Sequence, residues 1–516
     1  MLLQQLALTS RAVAVEPGRK AKTTLLAECL RALGPEEVPA AVALLSGESQ
    51  RLRIGVGPAA LRALPAPAPQ PALGVRETEE VLVRVAAVHG AGSQAERRRL
   101  LDGLFGRATA PEQEFLRAVL VGELRQGALD AVMAEAVAQA AEVPVAAVRR
   151  ALMFRGSARV VAEAALSGGA PALSAFGLEV GRPVRPMLAA SAPDVATALE
   201  RIGAGTPAAL EWKLDGIRVQ VHRDGDRVGV FTRSLDDITA RVPEVVEAAR
   251  SLPLRSAVLD GEAIALGPDG RPRPFQVTAA RTASRQAPER LRAEVPLRAF
   301  FFDLLHRDGE DLVDLPASRR WTALERAVPA GLRVPRTETC DLAAAQEFFR
   351  ATLAHGHEGV MVKDPAARYA AGRRGAGWIK VKPRHTLDLV VLAAEWGSGR
   401  RRGYLSNLHL GARGGGGSGL GPWVMLGKTF KGLTDELLAW QTDQLLAREV
   451  ERDAYTVRVR PELVVEIAFD GLQRSPRYPA GLTLRFARVL RYREDKGPGE
   501  ADTVATVREL AAAEGL

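Results

Sequence analysis

The apolar pattern of this chain changes period near residue 181, and that change divides any possible fold. Ahead of it, apolar residues recur at helical spacing; beyond it, short runs interleave apolar and charged residues as strands do. One ordinary core does not cover 516 residues, so three domains are expected. The shifts of pattern place them at 1–175, 181–384 and 385–516.

In the first segment, "TAPEQEFLRAVLVGELRQGAL" has Thr109 as N-cap, Pro111 in the first turn and Glu112 completing a capping box. Phe115, Leu116, Val119, Leu120 and Leu124 then share one face. An alanine-rich helix follows from about Ala128, and "RRALMFRG" closes another. The Pro-rich "LPAPAPQPALG" (64–74) is expected as an extended loop, and "SGGAPALSAFG" (167–177) as a linker. "GRKAKTT" (18–24) lacks the glycine directly before lysine that a phosphate loop needs, and reads as a helix start.

In the second segment, "ALEWKLDGIRVQVH" and "RVGVFTRS" flank the hairpin signal "RDGD". "SAVLDGEAIAL", "RAFFFDLLH", "EGVMVKD" and "GWIKVKP" read as further strands. The third segment, with "DLVVLAAEW", "WVMLGKTF" and "ELVVEIAFD", reads as a small β-barrel, with a glycine run at 414–417 as a flexible loop.

Composition narrows the function classes. Lys plus Arg number 70 against 61 for Asp plus Glu, an excess that suits a polyanion partner. Two cysteines, Cys29 and Cys340, provide neither a disulfide framework nor a four-thiolate zinc site. "MLLQQLALTSRAVAV" lacks the basic start and long apolar core of a signal peptide, and no apolar run is long enough to span a bilayer. A cytoplasmic location is expected.

A charged Lys213 at the entrance of a strand, followed by Asp215-Gly216, is by itself a common surface turn. Its companions change the reading. Asp260 and Glu262, Phe302, Glu358 and Lys363, and Lys380 and Lys382 put lysines, carboxylates and an aromatic on short strands of one segment. Such a pocket suits a nucleotide: an aromatic for the base, cations for phosphates, carboxylates for Mg²⁺. Singly, Phe302 reads as core and the glutamates as solvated strand ends. "HGHEG" (355–359) suggests a transition-metal site but brings no third ligand.

The ordered series Lys213-Leu-Asp215-Gly216-x-Arg218, Asp260-Gly-Glu262, Phe302-Asp303, Glu358-Gly359 and Lys380-x-Lys382 resembles the nucleotidyltransferase motifs of ATP-dependent DNA ligases. "GELRQGAL" (122–129) and "RPMLA" resemble that family's N-terminal domain and its junction, and "LRFARVLRYREDK" (484–496) its last motif. The resemblance covers nearly the whole chain. It implies an all-α DNA-binding domain, an α+β adenylation domain and a terminal oligonucleotide-binding (OB-fold) barrel.

The resemblance also assigns roles. Lys213 becomes the nucleophile that takes AMP from ATP. Nearby cations (Lys380, Lys382 and Mg²⁺) are expected to lower its pKa. Arg218 and Arg233 would meet the ribose or a phosphate, Phe302 would stack on adenine, and Glu211 would meet the base edge. Glu262 and Glu358 would bind ribose hydroxyls or the metal, Mg²⁺ or alternatively Mn²⁺. Arg485, Arg491 and Lys496 would orient the leaving pyrophosphate, delivered by domain closure about 382–388. Ser234 stands where many members have asparagine, and His306 where tyrosine is expected. The implied substrate is nicked duplex DNA, bound by a monomer through its phosphates. An RNA ligase or an inactive DNA-binding scaffold shares the same core and stays as the alternative.

Overall fold

The computed structural model describes residues 1–48, 61, 63–90, 92–122, 124, 129–284, 288–371, 374–383, 385–414, 420–513 and 516. Most of "GELRQGAL" and the glycines at 415–417 lie outside the described residues.

Nine α-helices among the described residues precede residue 175. They enclose one core that includes Leu6, Leu44, Phe105, Leu116 and Val137. The helix Ala110–Val121 starts where its cap predicts: Thr109 donates its backbone N–H (2.7 Å) and its hydroxyl (2.8 Å) to the buried Glu112 carboxylate. Residues 64–73 contain no helix, and Gly74 bridges Leu2. The linker expected at 167–177 is instead mostly helix. Ala158–Ser174 runs through it with one break, at Gly169 (φ 60°, ψ −148°) beside Pro171. A proline is tolerated where a helical segment begins, and glycine takes the left-handed φ that the break requires.

The helix Val145–Arg155 carries Met153 and Phe154 into a core shared with Met187, Val258, Leu305, Tyr369 and Trp378, which seats the helical region on the middle of the chain. That middle contains ten strands: β1 (Leu188–Ala192), β2 (Ala208–Lys213), β3 (Ile217–Asp224), β4 (Arg227–Thr232), β5 (Ser256–Ala265), β6 (Leu297–Arg307), β7 (Glu310–Asp311), β8 (Arg336–Thr339), β9 (Gly359–Lys363) and β10 (Arg374–Val381). They form two five-stranded sheets, ordered β1-β10-β9-β2-β8 and β4-β3-β5-β6-β7. Among the described residues, β1 with β10 is the parallel pair of strands in these sheets.

The chain crosses from the first sheet to the second between Lys213 and Ile217. A Cβ at Gly216 would lie 2.4 Å from the Ala263 carbonyl oxygen, so only glycine allows this close crossing. The Asp224–Arg227 turn closes the β3–β4 hairpin with Gly225 at φ +58°.

The last third is β-rich: β11 (His385–Trp396), β12 (Leu405–Arg413), β13 (Trp423–Thr429), β14 (Glu449–Arg452), β15 (Thr456–Val459), β16 (Val464–Phe469), β17 (Gly471–Arg474), β18 (Leu482–Arg485) and β19 (Arg488–Tyr492). The long β11 pairs with β16 through its first half and β15 through its second, with β12 on its other side. No sheet closes on itself among the described residues, where the strands of the expected small β-barrel form a seven-stranded sheet and a separate β17–β18 pair. Between β13 and β19 single bonds replace a ladder: Thr429 Oγ1 donates to Ala487 O (2.5 Å) and Val489 N–H to Lys431 O (2.9 Å). Leu389, Leu410, Leu426, Ile467 and Val489 share one core. No helix among the described residues is long and apolar enough to cross a membrane.

Candidate active site

A cavity of about 990 Å³ opens between the two middle sheets. Lys213, the last residue of β2, enters it from the first sheet; Arg218 on β3, Glu262 on β5 and Phe302 on β6 enter from the second. Glu211, Arg233 and Lys380 also line it.

Lys213 is ion-paired to Glu358, and the same carboxylate holds Lys382 through its other oxygen. The backbone sets this meeting: the Glu358 N–H donates to Lys213 O at 3.1 Å, and Gly359 lies opposite Lys213 in the β2–β9 register. A Cβ on Gly359 (φ +143°) would sit 2.2 Å from the Val381 carbonyl oxygen, so β9 approaches the end of β10 only with glycine there.

The electrostatics differ from the simple expectation of a lowered lysine pKa. Burial, the largest influence, disfavours the Lys213 ammonium, but the Glu358 carboxylate beside it, together with Glu262 and Asp215, outweighs burial and holds the pKa above the ordinary lysine range. Burial likewise opposes charge on Glu358, and Lys213 and Lys382 overcome it, keeping that carboxyl below its usual range. Lys380 does have a lowered pKa, first from burial and then from Lys382 and Lys213. Burial pushes the Glu262 carboxyl up to about 8 against the pull of Lys213 and Arg218.

Arg218 grips Asp260 with Nε (2.9 Å) and Nη2 (2.5 Å) and donates Nη1 to the Met187 carbonyl (2.6 Å). The Tyr369 hydroxyl donates to Asp260 at 2.7 Å and closes this buried network. The Arg218 guanidinium lies 5.5 Å from the Phe302 ring and 5.3 Å from Trp378, and the two rings meet edge-on at 5.7 Å. Arg233 stands exposed at the cavity mouth. Glu211 is buried and engaged by Arg336 and Lys363.

The terminal domain reaches this cleft. Arg485 Nη1 pairs with Asp215 at 3.0 Å, its guanidinium 5.4 Å from the Phe275 ring, while Asp470 receives Lys382 at 3.3 Å. Arg491 and Lys496 are not brought to Lys213 in this arrangement. Arg491 pairs with Glu466 (2.7 Å) and Lys496 with Asp388 (2.6 Å), carboxylates of their own domain. His355 and His357 stack on Trp212 at 5.1 and 4.4 Å.

Sequence reading assigned no role to Trp378, Arg336, Tyr369 or Asp470. Trp378 lies within a quoted strand motif, next to the lysines it precedes. Arg336 and Tyr369 carry no local signal: their partners Glu211 and Asp260 lie 125 and 109 residues away.

A lysine amine in a cleft walled by aromatics, ringed by carboxylates and further cations, and met by an arginine from a separate domain, defines a nucleotidyltransferase-type site. Comparison with known proteins gives the family. The family models "ATP dependent DNA ligase domain", "ATP dependent DNA ligase C terminal region" and "DNA ligase N terminus" match residues 186–382, 401–496 and 62–138. Probable DNA ligases of Nocardioides sp. and Mycobacterium marinum are each 58% identical to this chain, across 99% of it and 99% and 100% of their own lengths. The solved structure "Pmar-Lig_PreS3" shares the fold at a TM-score of 0.60 and 17% identity, over 95% of this chain and 99% of its own. The chain belongs to the ATP-dependent DNA ligases, which makes ATP its cofactor and DNA its substrate.

Proposed function

We propose that this ligase seals nicks in duplex DNA through an AMP carried on Lys213. The observation that carries this reading is the meeting of Lys213 with Glu358 and Lys382 in one cleft, with Arg485 of the terminal domain on Asp215. In the first step the Lys213 amine attacks the α-phosphorus of ATP. The P–N bond forms, the bond to the β-phosphate oxygen breaks, and the amine proton is lost. Because Glu358 holds that proton on the free enzyme, nucleotide binding must loosen the pair before attack. Arg485, Lys380 and Lys382 offset charge developing on the phosphates. Arg491 and Lys496 join them only if the terminal domain shifts from this arrangement, pivoting about 382–388.

A 5′-phosphate at the nick then attacks the same phosphorus, the P–N bond breaks, and AMP passes to the DNA. Attack by the 3′-hydroxyl on the adenylated phosphate seals the strand and frees AMP. Phe302, with Trp378 behind it, would stack on adenine, and Glu211 would face the base edge. Arg233 at the cavity mouth would meet the ribose or nick phosphate. Arg218 is fixed by Asp260 and would present only its cationic face.

Among the described residues no group of three or more His, Cys, Asp or Glu side chains is arranged to hold a metal ion, so a divalent cation would be held by Glu262 together with the triphosphate. The Glu262 carboxyl lines the cavity, and burial, only partly offset by Lys213 and Arg218, pushes it up to about 8, so a bound cation would displace its proton at neutral pH. Mg²⁺ or Mn²⁺ held there would supply charge neutralisation for the triphosphate. Glu358 could join it only after releasing its lysines. The β-rich terminal domain would act as the OB-fold module, and the three regions at 1–175, 181–384 and 385–516 would close round a duplex as a monomer. The test is a duplex with one 5′-phosphorylated nick, ATP and Mg²⁺, beside a nicked RNA duplex. Sealing of DNA alone is expected; sealing of RNA alone, or of neither, would overturn the proposal.

A further inference from the structure

We infer that Arg336 is a positioning residue that sets the nucleobase preference of the first step by fixing the Glu211 carboxylate. The inference rests on the reading above that Glu211 faces the base. Arg336 and Glu211 are direct partners in the β2–β8 register. Arg336 donates both Nε (2.8 Å) and Nη2 (2.6 Å) to Glu211 Oε1, and Lys363 pairs with Oε2.

A carboxylate offers about four acceptor positions, two on each oxygen. Arg336 fills both on Oε1, and Lys363 lies against Oε2 as an ion pair. The acceptor positions left to a ligand are on Oε2, on a side chain that lines the nucleotide cavity. They suit a base whose edge presents an N–H donor. A base with a carbonyl there would leave them unmet and set oxygen against oxygen.

The same guanidinium braces the stacking wall. Arg336 Nη2 donates to the Phe302 carbonyl at 3.3 Å, and its carbon lies 4.2 Å from the Trp321 ring centroid. Lys363 Nζ lies 4.6 and 4.3 Å from the Phe302 and Trp378 rings. Lys363 is buried and Arg336 is largely covered, with side chains 1% and 10% exposed, so neither is a solvated surface charge. One brace therefore locks the base reader and the base-stacking ring in a single relative position. A lysine at 336 would keep the charge but not the fork that fills Oε1.

The experiment measures label transfer to the full-length protein from α-labelled ATP, ITP and GTP, for wild type, Arg336→Met and Arg336→Lys. Sealing of a preadenylated nick, which needs no nucleotide, is the control. For Arg336→Met, the preference for ATP over ITP is expected to fall about 10-fold or more, with a raised KM for ATP. Arg336→Lys should lie between it and wild type, and preadenylated sealing, in which the adenylate is already tethered to the nick, should fall by less than ATP transfer does in both. Unchanged ATP preference in Arg336→Lys and Arg336→Met would overturn the inference. So would a parallel fall in transfer and preadenylated sealing in Arg336→Lys, which marks a merely structural role. If Arg336→Met does not fold, Arg336→Lys decides. Wild-type protein that takes label without preferring ATP would refute this inference alone, whereas wild type that neither takes label nor seals would refute the ligase reading.

Discussion

Replacing Glu358 by glutamine should shift the pH dependence of AMP transfer to Lys213. Its carboxylate is ion-paired to Lys213 and Lys382, and the three side chains are 13%, 19% and 17% exposed. Close pairs at an effective dielectric near 20 interact by about 4 kcal/mol. Rearrangement and the remaining Asp215 and Glu262 reduce the effect, so about half of that is the expected loss. Since one pH unit corresponds to about 1.4 kcal/mol, the inflection should fall by about 1.5 pH units. The assay is the second-order rate of transfer from α-labelled ATP, without DNA and at low ATP, across pH 6 to 10. That rate reports ionisation of the free enzyme. Wild type should gain about tenfold per unit across the neutral range and beyond pH 9, while Glu358→Gln levels off earlier. The substitution should also destabilise the fold, by up to about 3 kcal/mol, at pH values where wild-type Glu358 is ionised and Lys213 and Lys382 are charged, and this cost should fade at low pH as the wild-type carboxylate takes up a proton. Coincident inflections in the two proteins would refute the claim that Glu358 sets the charge state of Lys213.

Asp303→Asn should cost about 3–5 kcal/mol in urea unfolding, because it leaves the Arg320 guanidinium, 0% exposed, without its carboxylate. His222 and His357 are held neutral, chiefly by burial, with pKa values of about 4. A folded value below the unfolded value of about 6.5 gives stability that is present above pH 6.5 and lost as pH falls towards 4. His357→Phe keeps a ring against Trp212 and should flatten the decline in urea midpoint between pH 7 and 5. Arg485→Ala should slow AMP transfer to the protein by about 100-fold and leave sealing of a preadenylated nick nearly unchanged, as single-turnover assays of each step would show.

The site was legible where chemistry is carried by short strands with glycine beside the charge. Lys213 and Gly216, Glu358 and Gly359, and Lys380 and Lys382 are local patterns; the structure sets Lys213, Gly216 and Lys380 in the cavity wall and pairs Glu358 with Lys213 and Lys382. The helix starts at Thr109 and Gly18 were legible for the same reason, since caps are local chemistry. The sign of the Lys213 perturbation was not: counting cations along the chain overlooked a carboxylate whose position depends on β2 pairing with β9. Arg336 and Tyr369 escaped notice because their partners lie on distant segments of the chain, over 100 residues away. The helical continuation past residue 167 was hidden because Gly169 and Pro171 together write the signature of a linker. Closure of the terminal sheet depends on long-range pairing, and alternation of residues within each strand does not report it.

The most direct test of the account is to find where AMP is held. Protein stripped with pyrophosphate would be incubated with ATP and Mg²⁺, digested, and its peptides weighed. One AMP on the peptide containing Lys213, removed when nicked DNA is added and absent from Lys213→Ala, is the predicted result. AMP on a different residue, or none on any peptide, would contradict the account.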